Sequence, residues 1–427
     1  MLFKHKPANR YLTFPLLLII VLWIIASPLD KKTVYGVEAP PEFEASGVVL
    51  MDASSGYVIH GRNANARMPM ASTTKIMTAM LVLEQSRLDE VVATPQEAKE
   101  QDGTVVYLEP GETKTVEQLL YAALLNSAND AAWTLAAHEG EGSVERFVEM
   151  MNRRAKELGA NNTNFTNPTG LSDPMHYSTP RDMALITRQA LNNQEFRKII
   201  TTKSRPWIGN LHQVNLYNLN RLLYNYPGIT GVKTGYTSDA KNCLVASAQR
   251  DGREMISVVL GCDSTIWENT ARLLDYGLKN STSLQVVQKD QASAQLQLSR
   301  GRSIDLLASR DLCVNAPEAN GLSIQTQAYV NQNLPAPMPA GTVAGYLNCT
   351  VGGQPLEPIP LVTAAEVPAE RYPTLPVLIG GFVGLGGIIF LGGRNWRKKK
   401  QHRFSTDLKM SARRADRHAR RSRYNDW

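Results

Sequence analysis

The 427-residue chain is 43% hydrophobic and 20% charged, too apolar for a disordered protein and too long for one small domain. Four cysteines in this length exclude a disulfide-dense scaffold. The formal charge of +7 suggests a nucleic-acid partner, but its distribution excludes one. Residues 394–427 hold 13 Lys/Arg against 3 acidic residues, Lys4, Lys6 and Arg10 add three positive charges, and the remainder stands at −6.

In chain order, residues 11–29 carry no charge and follow the three basic residues. This is the layout of a secretory signal, and the run is also nearly long enough for an uncleaved signal anchor. Residues 1–29 therefore read as signal peptide or signal anchor, and 30–46, with Glu38-Ala39-Pro40-Pro41-Glu42, as a linker. From Gly47, apolar runs at 48–51 and 57–59 flank Asp52-Ala53-Ser54-Ser55-Gly56, which predicts a hairpin. Residues 73–191 read as mainly helical. Within them 115–137 is one example, with Leu119, Leu120, Ala123, Leu124 and Ala132 at helical spacing.

Strands return after Tyr226. Residues 229–237 are β-rich, and runs at 244–248 and 255–260 flank Arg250-Asp251-Gly252-Arg253, a second hairpin. A helical stretch near 267–278 closes the unit. Strands at both ends with helices between predict an α+β domain over 47–280, one antiparallel sheet carrying helices. From 281 to 370, short alternating runs such as Ala294-Gln295-Leu296-Gln297-Leu298, separated by Pro and Gly clusters, predict a small all-β domain.

Residues 372–393 again carry no charge, and their Gly and Pro content suits a membrane helix better than a soluble one. A transmembrane helix is predicted there, followed by a basic cytoplasmic tail over 394–427. The positive-inside rule assigns both basic flanks to the cytoplasm and the middle of the chain to the extracytoplasmic side of the cell membrane.

An Arg250–Arg253 pair would set Cys243 opposite Leu260, with Cys262 on the diagonal and too far for easy bridging. Two free buried thiols are expected. Cys313 and Cys349 in the β domain stand open between a disulfide and two thiols.

The seven histidines fall in no metal-ligand spacing, and no Gly-rich phosphate loop follows a strand, so neither metal nor cofactor is expected. Serine chemistry is better supported. Ser72-Thr73-Thr74-Lys75 is an S-x-x-K at a helix start, where i and i+3 share a face and the amine reaches the hydroxyl. A second match, Ser238-x-x-Lys241, lies in a loop or strand whose alternation separates the two side chains. Ser127-Ala128-Asn129 is the only S-x-N, and Lys233-Thr234-Gly235 the only K-T-G. Singly, each has an ordinary reading as a helix cap or a solvated lysine. Together and in this order they agree with the S-x-x-K, S-D-N and K-T-G set of penicillin-recognising serine enzymes.

The chain thus resembles the low-molecular-weight penicillin-binding proteins of the serine-type D-alanyl-D-alanine carboxypeptidase family. Met70-Ala71-Ser72-Thr73-Thr74-Lys75-Ile76-Met77-Thr78, Leu125-Asn126-Ser127-Ala128-Asn129-Asp130, Asn167-Pro168-Thr169-Gly170-Leu171, Ser178-Thr179-Pro180-Arg181-Asp182 and Gly231-Val232-Lys233-Thr234-Gly235-Tyr236-Thr237 carry the resemblance. Leu356-Glu357-Pro358-Ile359-Pro360-Leu361-Val362 resembles the family's β-rich C-terminal domain. The resemblance implies a penicillin-binding/β-lactamase-like transpeptidase fold and cleavage of the terminal D-Ala-D-Ala bond of peptidoglycan stem pentapeptides. It further implies Ser72 as nucleophile, Lys75 as base, and Ser127 as proton relay. Asn129 would orient Lys75 and substrate, Lys233, Thr234 and Gly235 would bind substrate, and the backbone N–H groups of Ser72 and Tyr236 would form the oxyanion hole. Lys233 would favour a neutral Lys75 by repulsion, with burial adding to it. β-Lactams would act as covalent inhibitors.

Two features depart from the pattern. Some relatives have an arginine just after the strand ending near Gly261, and Asp263-Ser264-Thr265-Ile266-Trp267 has none. Relatives often end in an amphipathic helix, whereas this chain is read as spanning the membrane. A class A β-lactamase would need an E-x-x-L-N glutamate, which the 167–171 loop lacks, so slow deacylation of penicillin is expected. A D,D-endopeptidase uses the same triads, and a decayed wall-binding protein would have lost them.

Overall fold

A computed structural model describes residues 39–298, 301–317 and 321–369. The apolar runs at 11–29 and 372–393 and the basic tail lie outside the described residues, and with them the signal, membrane-helix and topology expectations. Among the described residues no helix is long and apolar enough to cross a membrane.

The chain begins with strands β1 (Ala45–Asp52) and β2 (Val58–Arg62), then a 3₁₀ turn (Ala71–Thr74) running into α1 (Lys75–Gln85). There follow β3 (Val91–Ala93), α2 (Gln96–Lys99), β4 (Thr113–Thr115), α3 (Val116–Leu125), α4 (Asn129–Glu139), α5 (Val144–Glu157), α6 (Pro180–Ala190) and α7 (Gln194–Thr201). A hairpin of β5 (Ser204–Ile208) and β6 (Gln213–Tyr217) precedes α8 (Leu222–Asn225). Strands β7 (Ile229–Thr237), β8 (Lys241–Arg250) and β9 (Arg253–Cys262) and helix α9 (Ile266–Asn280) complete the domain.

One antiparallel sheet in the order β2-β1-β9-β8-β7 organises it. Both faces are covered, which explains why β1 reads as an unbroken apolar run rather than an alternating one. Val48 and Leu50 face α9, whereas Val49 and Met51 join the helical core with Ile256 and Val258. Helix α1 runs through that core, with every residue from Lys75 to Val82 buried. Asp251 and Gly252 both adopt positive φ in the β8–β9 turn, the conformation a two-residue hairpin requires.

The structure corrects four local expectations. The helical stretch 115–137 is two helices: α3, started by a Thr115–Gln118 capping box, ends at Leu125, and Ser127 takes φ +63°. The Ala128 N–H donates to Ala122 O and the Asn129 N–H to Thr104 O, which holds the break. The β5–β6 hairpin was not expected, its alternation being masked by exposed apolar residues such as Ile208, Val214 and Tyr217. The third concerns the hairpin register: Arg250 pairs with Arg253 as expected, but an irregularity beyond Leu244 sets Asn242 opposite Cys262. Gly261, at φ +68° on β9, accommodates the extra residue there. The fourth is the start of the sheet, since β1 begins at Ala45, opposite Cys262, inside the stretch read as linker. All four cysteines are free thiols.

The second domain holds a pair, β10 (Thr282–Val287) with β13 (Leu312–Ala316), beside a larger sheet. That sheet contains β11 (Ala292–Gln297), β12 (Ser303–Ala308), β14 (Ile324–Val330), β15 (Val343–Val351), the short β16 (Gln354–Pro355) and β17 (Ile359–Thr363). Its core includes Leu296, Leu306, Leu347, Ile359 and Leu361, and also Tyr57 from the β1–β2 turn. Asp52 accepts hydrogen bonds from the Asn315 backbone N–H and side-chain amide, both at 3.1 Å. Gln354 bonds both backbone groups of Val58. The turn between β1 and β2 is therefore the joint between the domains.

Candidate active site

The 3₁₀ turn and the start of α1 present Ser72 and Lys75 one turn apart. Lys75 is 0% exposed, and its Nζ lies 3.0 Å from Ser72 Oγ, 2.6 Å from Asn129 Oδ1 and 2.7 Å from the Thr169 carbonyl. Ser72 Oγ also lies 3.4 Å from Thr169 O. Asn129 reaches Lys75 because the chain breaks at Ser127, and its amide donates to Asp102 O. The Thr169 carbonyl is held by Asn167, whose Oδ1 accepts from the Thr169 and Gly170 N–H groups at 3.2 and 2.7 Å. Pro168 O accepts from Thr78 Oγ1, tying this loop to α1.

Strand β7 forms the other wall and is an edge of the sheet. Gly235 packs against the Ser72 turn so closely that a Cβ there would lie 2.8 Å from the Ser72 backbone nitrogen. This is the physical reason for glycine in K-T-G. Lys233 is 1% exposed and donates to Thr234 O at 3.1 Å. Thr234 is half-buried beside it, and the Tyr236 side chain is 69% exposed. The competing motif spans the turn between β7 and β8 rather than an alternating strand: Ser238 and Lys241 are exposed, and Lys241 pairs with Asp263 at 2.8 Å.

The family model for D-alanyl-D-alanine carboxypeptidase matches residues 34–264, and the model for the C-terminal domain of penicillin-binding protein 5 matches 282–369. The chain belongs to the serine-type D-alanyl-D-alanine carboxypeptidase family. As a member it is a serine peptidase of D-alanyl-D-alanine ends and a penicillin-binding protein. It is 32% identical over 342 residues to the D-alanyl-D-alanine carboxypeptidase DacF of Bacillus subtilis, covering 78% of this chain and 88% of the relative. Against DacC of Escherichia coli the identity is 30%, covering 78% and 86%. The structure is similar to penicillin binding protein 5 from Haemophilus influenzae, with a TM-score of 0.64, 29% identity, and coverage of 78% and 99% of the two chains. Similarity to DacD from Francisella tularensis has a TM-score of 0.58 at 26% identity, covering 78% and 96%.

In this carboxypeptidase the electrostatics follow from depth. Burial pushes Lys75 well below the usual amine range, the nearby Lys233 charge pushes it the same way, and Asp130 pulls against both. Burial thus outranks the repulsion expected to lead. Burial alone lowers Lys233 to about 7. Asp130 is itself raised by burial, against N–H donations from Val106, Leu108 and Ala131. The sequence reading missed Thr169 and its support by Asn167. The 167–171 loop carries part of the resemblance, but a backbone carbonyl leaves no residue signature.

Proposed function

We propose that Ser72, Lys75 and Ser127, with Asn129, Lys233, Thr234 and Gly235, remove the terminal D-alanine of peptidoglycan stem pentapeptides through an acyl-enzyme. The observation that carries this reading is the fully buried Lys75 amine, in contact with Ser72, Asn129 and Thr169. A neutral amine has two N–H groups and one lone pair. Asn129 Oδ1 and the Thr169 carbonyl accept only, so they take the two N–H groups and the lone pair is left for the Ser72 hydroxyl proton.

Ser72 Oγ attacks the carbonyl of the penultimate D-alanine while Lys75 takes its proton. The developing oxyanion is met by the Ser72 and Tyr236 N–H groups. Lys233 and Thr234 hold the terminal carboxylate, and the edge of β7 pairs with the extended peptide as an added strand. Ser127 passes a proton to the leaving amine and takes the Lys75 proton in its place, so D-alanine departs neutral at nitrogen, Lys75 is again a base and an ester remains on Ser72. Water then hydrolyses the ester, releasing the shortened peptide and restoring the serine. Penicillin forms the same ester and is released slowly, because the 167–171 loop offers a carbonyl rather than a glutamate to a deacylating water.

Incubation with pentapeptide muropeptides, with and without cross-links, followed by mass analysis tests this. Loss of one D-alanine from uncross-linked pentapeptide is expected, and Ser72→Ala should abolish both that loss and labelling by penicillin. Release of D-alanine by Ser72→Ala would remove the proposed nucleophile. Cleavage of cross-links alone would make the chain an endopeptidase.

The site works outside the cell membrane, with the basic tail in the cytoplasm against anionic lipid and the catalytic domain beside the wall. The charge-free runs at 11–29 and 372–393 and their basic flanks support this reading. Labelling of the protein in intact cells by a membrane-impermeant penicillin is the expected result. Labelling only after lysis would overturn the topology.

A further inference from the structure

Beneath the nucleophile lies a buried polar chain that none of the roles above uses. His176 is 3% exposed and packs edge-on against Phe165. Its Nδ1 lies 3.0 Å from the Thr166 backbone nitrogen, and its Nε2 lies 2.8 Å from Thr74 Oγ1. Thr74, 0% exposed, donates from Oγ1 to the Ala71 carbonyl at 2.9 Å.

The direction of this chain is fixed by its ends. The Thr166 N–H only donates, so Nδ1 is the acceptor and the single hydrogen of a neutral imidazole sits on Nε2. Burial lowers His176 to about 4, which keeps it neutral at working pH. Nε2–H then donates to Thr74 Oγ1, and the Thr74 hydroxyl hydrogen goes to Ala71 O.

Ala71 C=O and Ser72 N–H are the two ends of one peptide unit. Ala71 has φ +46°, a left-handed conformation that a non-glycine residue keeps only when its surroundings enforce it. Two glycines press on the same unit. A Cβ on Gly170 would lie 2.0 Å from Ala71 O, and one on Gly235 would lie 2.8 Å from Ser72 N. The peptide plane is therefore clamped from both sides and tied at its carbonyl.

We infer that His176 and Thr74 are positioning residues for the oxyanion hole, holding and polarising the Ala71–Ser72 peptide so that the Ser72 N–H is aimed at the reacting carbonyl oxygen. A hydrogen bond accepted at one end of an amide strengthens donation at the other, and the chain of two donors adds to that effect. The inference rests on the acyl-enzyme reading above and names a part of that site not yet given a role.

The test uses the purified full-length chain and five forms of it: wild type, Thr74→Val, Thr74→Ser, His176→Gln and His176→Asn. A glutamine amide restores a donor near the Nε2 position, whereas an asparagine reaches only the Nδ1 position. The readouts are the acylation rate with a fluorescent penicillin, kcat and KM for a D-alanyl-D-alanine peptide, the infrared frequency of the penicilloyl ester carbonyl, and the thermal midpoint.

Thr74→Val and His176→Asn should acylate about tenfold more slowly, with the loss in kcat and the ester carbonyl band moved to higher frequency. Thr74→Ser and His176→Gln should stay within about threefold of wild type, with the band unmoved. Normal acylation and an unshifted band in Thr74→Val would overturn the inference. So would a loss confined to KM, or a His176→Gln variant as slow as His176→Asn. A wild-type chain that takes no penicillin would overturn the acyl-enzyme reading itself, and the wild-type control tells that failure apart.

Discussion

In the catalytic domain two lysines, Lys75 and Lys233, are sealed from solvent with Asp130 nearby. From β10 onward, among the described residues, the buried polar side chains are Asn315 and Thr363, and no charged side chain is buried. The β domain follows the ordinary rule, apolar inside and polar outside, as β15 shows with Leu347 and Cys349 buried and Tyr346 and Asn348 exposed. The catalytic domain breaks that rule at its reacting centre. Burying an amine costs stability unless it gives up its proton, and giving up the proton is what the base proposed next to Ser72 requires. The two domains therefore differ in what their interiors are for: one holds a charge-suppressing pocket, the other only a core.

Five substitutions test that contrast. The largest effect belongs to Lys75→Met, which keeps the bulk and removes the amine. Penicillin acylation should fall by about 10²- to 10⁴-fold, while the thermal midpoint holds or rises because an apolar chain replaces a desolvated amine. A near-normal acylation rate, measured by labelled penicillin, would show that Lys75 is not the base.

Next comes the joint. Asp52 lies in the catalytic domain, yet its carboxylate serves Asn315 in the β domain and also Ser54 and Ser55. Asp52→Ala strands the buried Asn315 and Ser55 donors and should lower unfolding stability by about 3 kcal/mol, read by denaturant titration. Turnover of the folded enzyme should be unchanged, since no group of the Ser72 corner touches Asp52. A parallel loss of kcat would mean that the joint sets the active-site geometry.

Lys233 separates the two roles by pH. Its amine, lowered to about 7 by burial, is charged below that value and loses its proton above it. The carboxylate-binding charge is therefore present on the acid side and fades as pH rises, by up to about tenfold per unit in kcat/KM. As the proposed base, Lys75 works in the opposite sense: it must be neutral, and protonation at low pH removes it. The kcat/KM profile for a D-alanyl-D-alanine peptide should be a bell, and Lys233→Met should flatten its alkaline limb. Because bound carboxylate raises the Lys233 affinity for its proton, the alkaline limb should be weaker in kcat. A limb of equal depth in kcat would show that Lys233 acts in the chemical step rather than in binding.

The corner where Lys75 meets Ser72 and Asn129 was legible in the sequence, because these are side chains at fixed spacings, and fixed spacings survive in a sequence. The β8–β9 turn was legible for a similar reason, since Asp251-Gly252 announces the conformation it needs. What escaped were features without a residue signature. The Thr169 carbonyl on Lys75 is backbone. The bulge at Gly261 changes register without changing composition, so Asn242 meets Cys262 where an unbroken register would bring Gly261, while the reading of Arg250 with Arg253 held. The break at Ser127 interrupts an apolar helical pattern that continues on both sides. Asp52 and Asn315 lie 263 positions apart, and nothing local in the turn 52–56 marks it as a joint rather than a free hairpin end.

The smallest effect tests how that joint is held. Arg188 on α6 donates from Nε to Ala53 O at 2.9 Å and from Nη2 to Ser54 O at 3.0 Å, and its Nη1 pairs with Glu357 of the β domain at 3.0 Å. Glu357 is largely solvent-exposed and also lies 3.6 Å from Arg310. An exposed carboxylate gains little from such pairing, because water screens it and the side chains lose freedom to hold the geometry. Glu357→Gln should therefore cost about 0.5 kcal/mol or less, and the cost should vanish in high salt. Arg188→Ala should cost more than Glu357→Gln, since it also strips two carbonyls in the joint of their donor. If the two variants lost equal stability, the ion pair and not the backbone tie would be what Arg188 contributes. The domain junction would then rest on surface charge rather than on the buried Asp52 network.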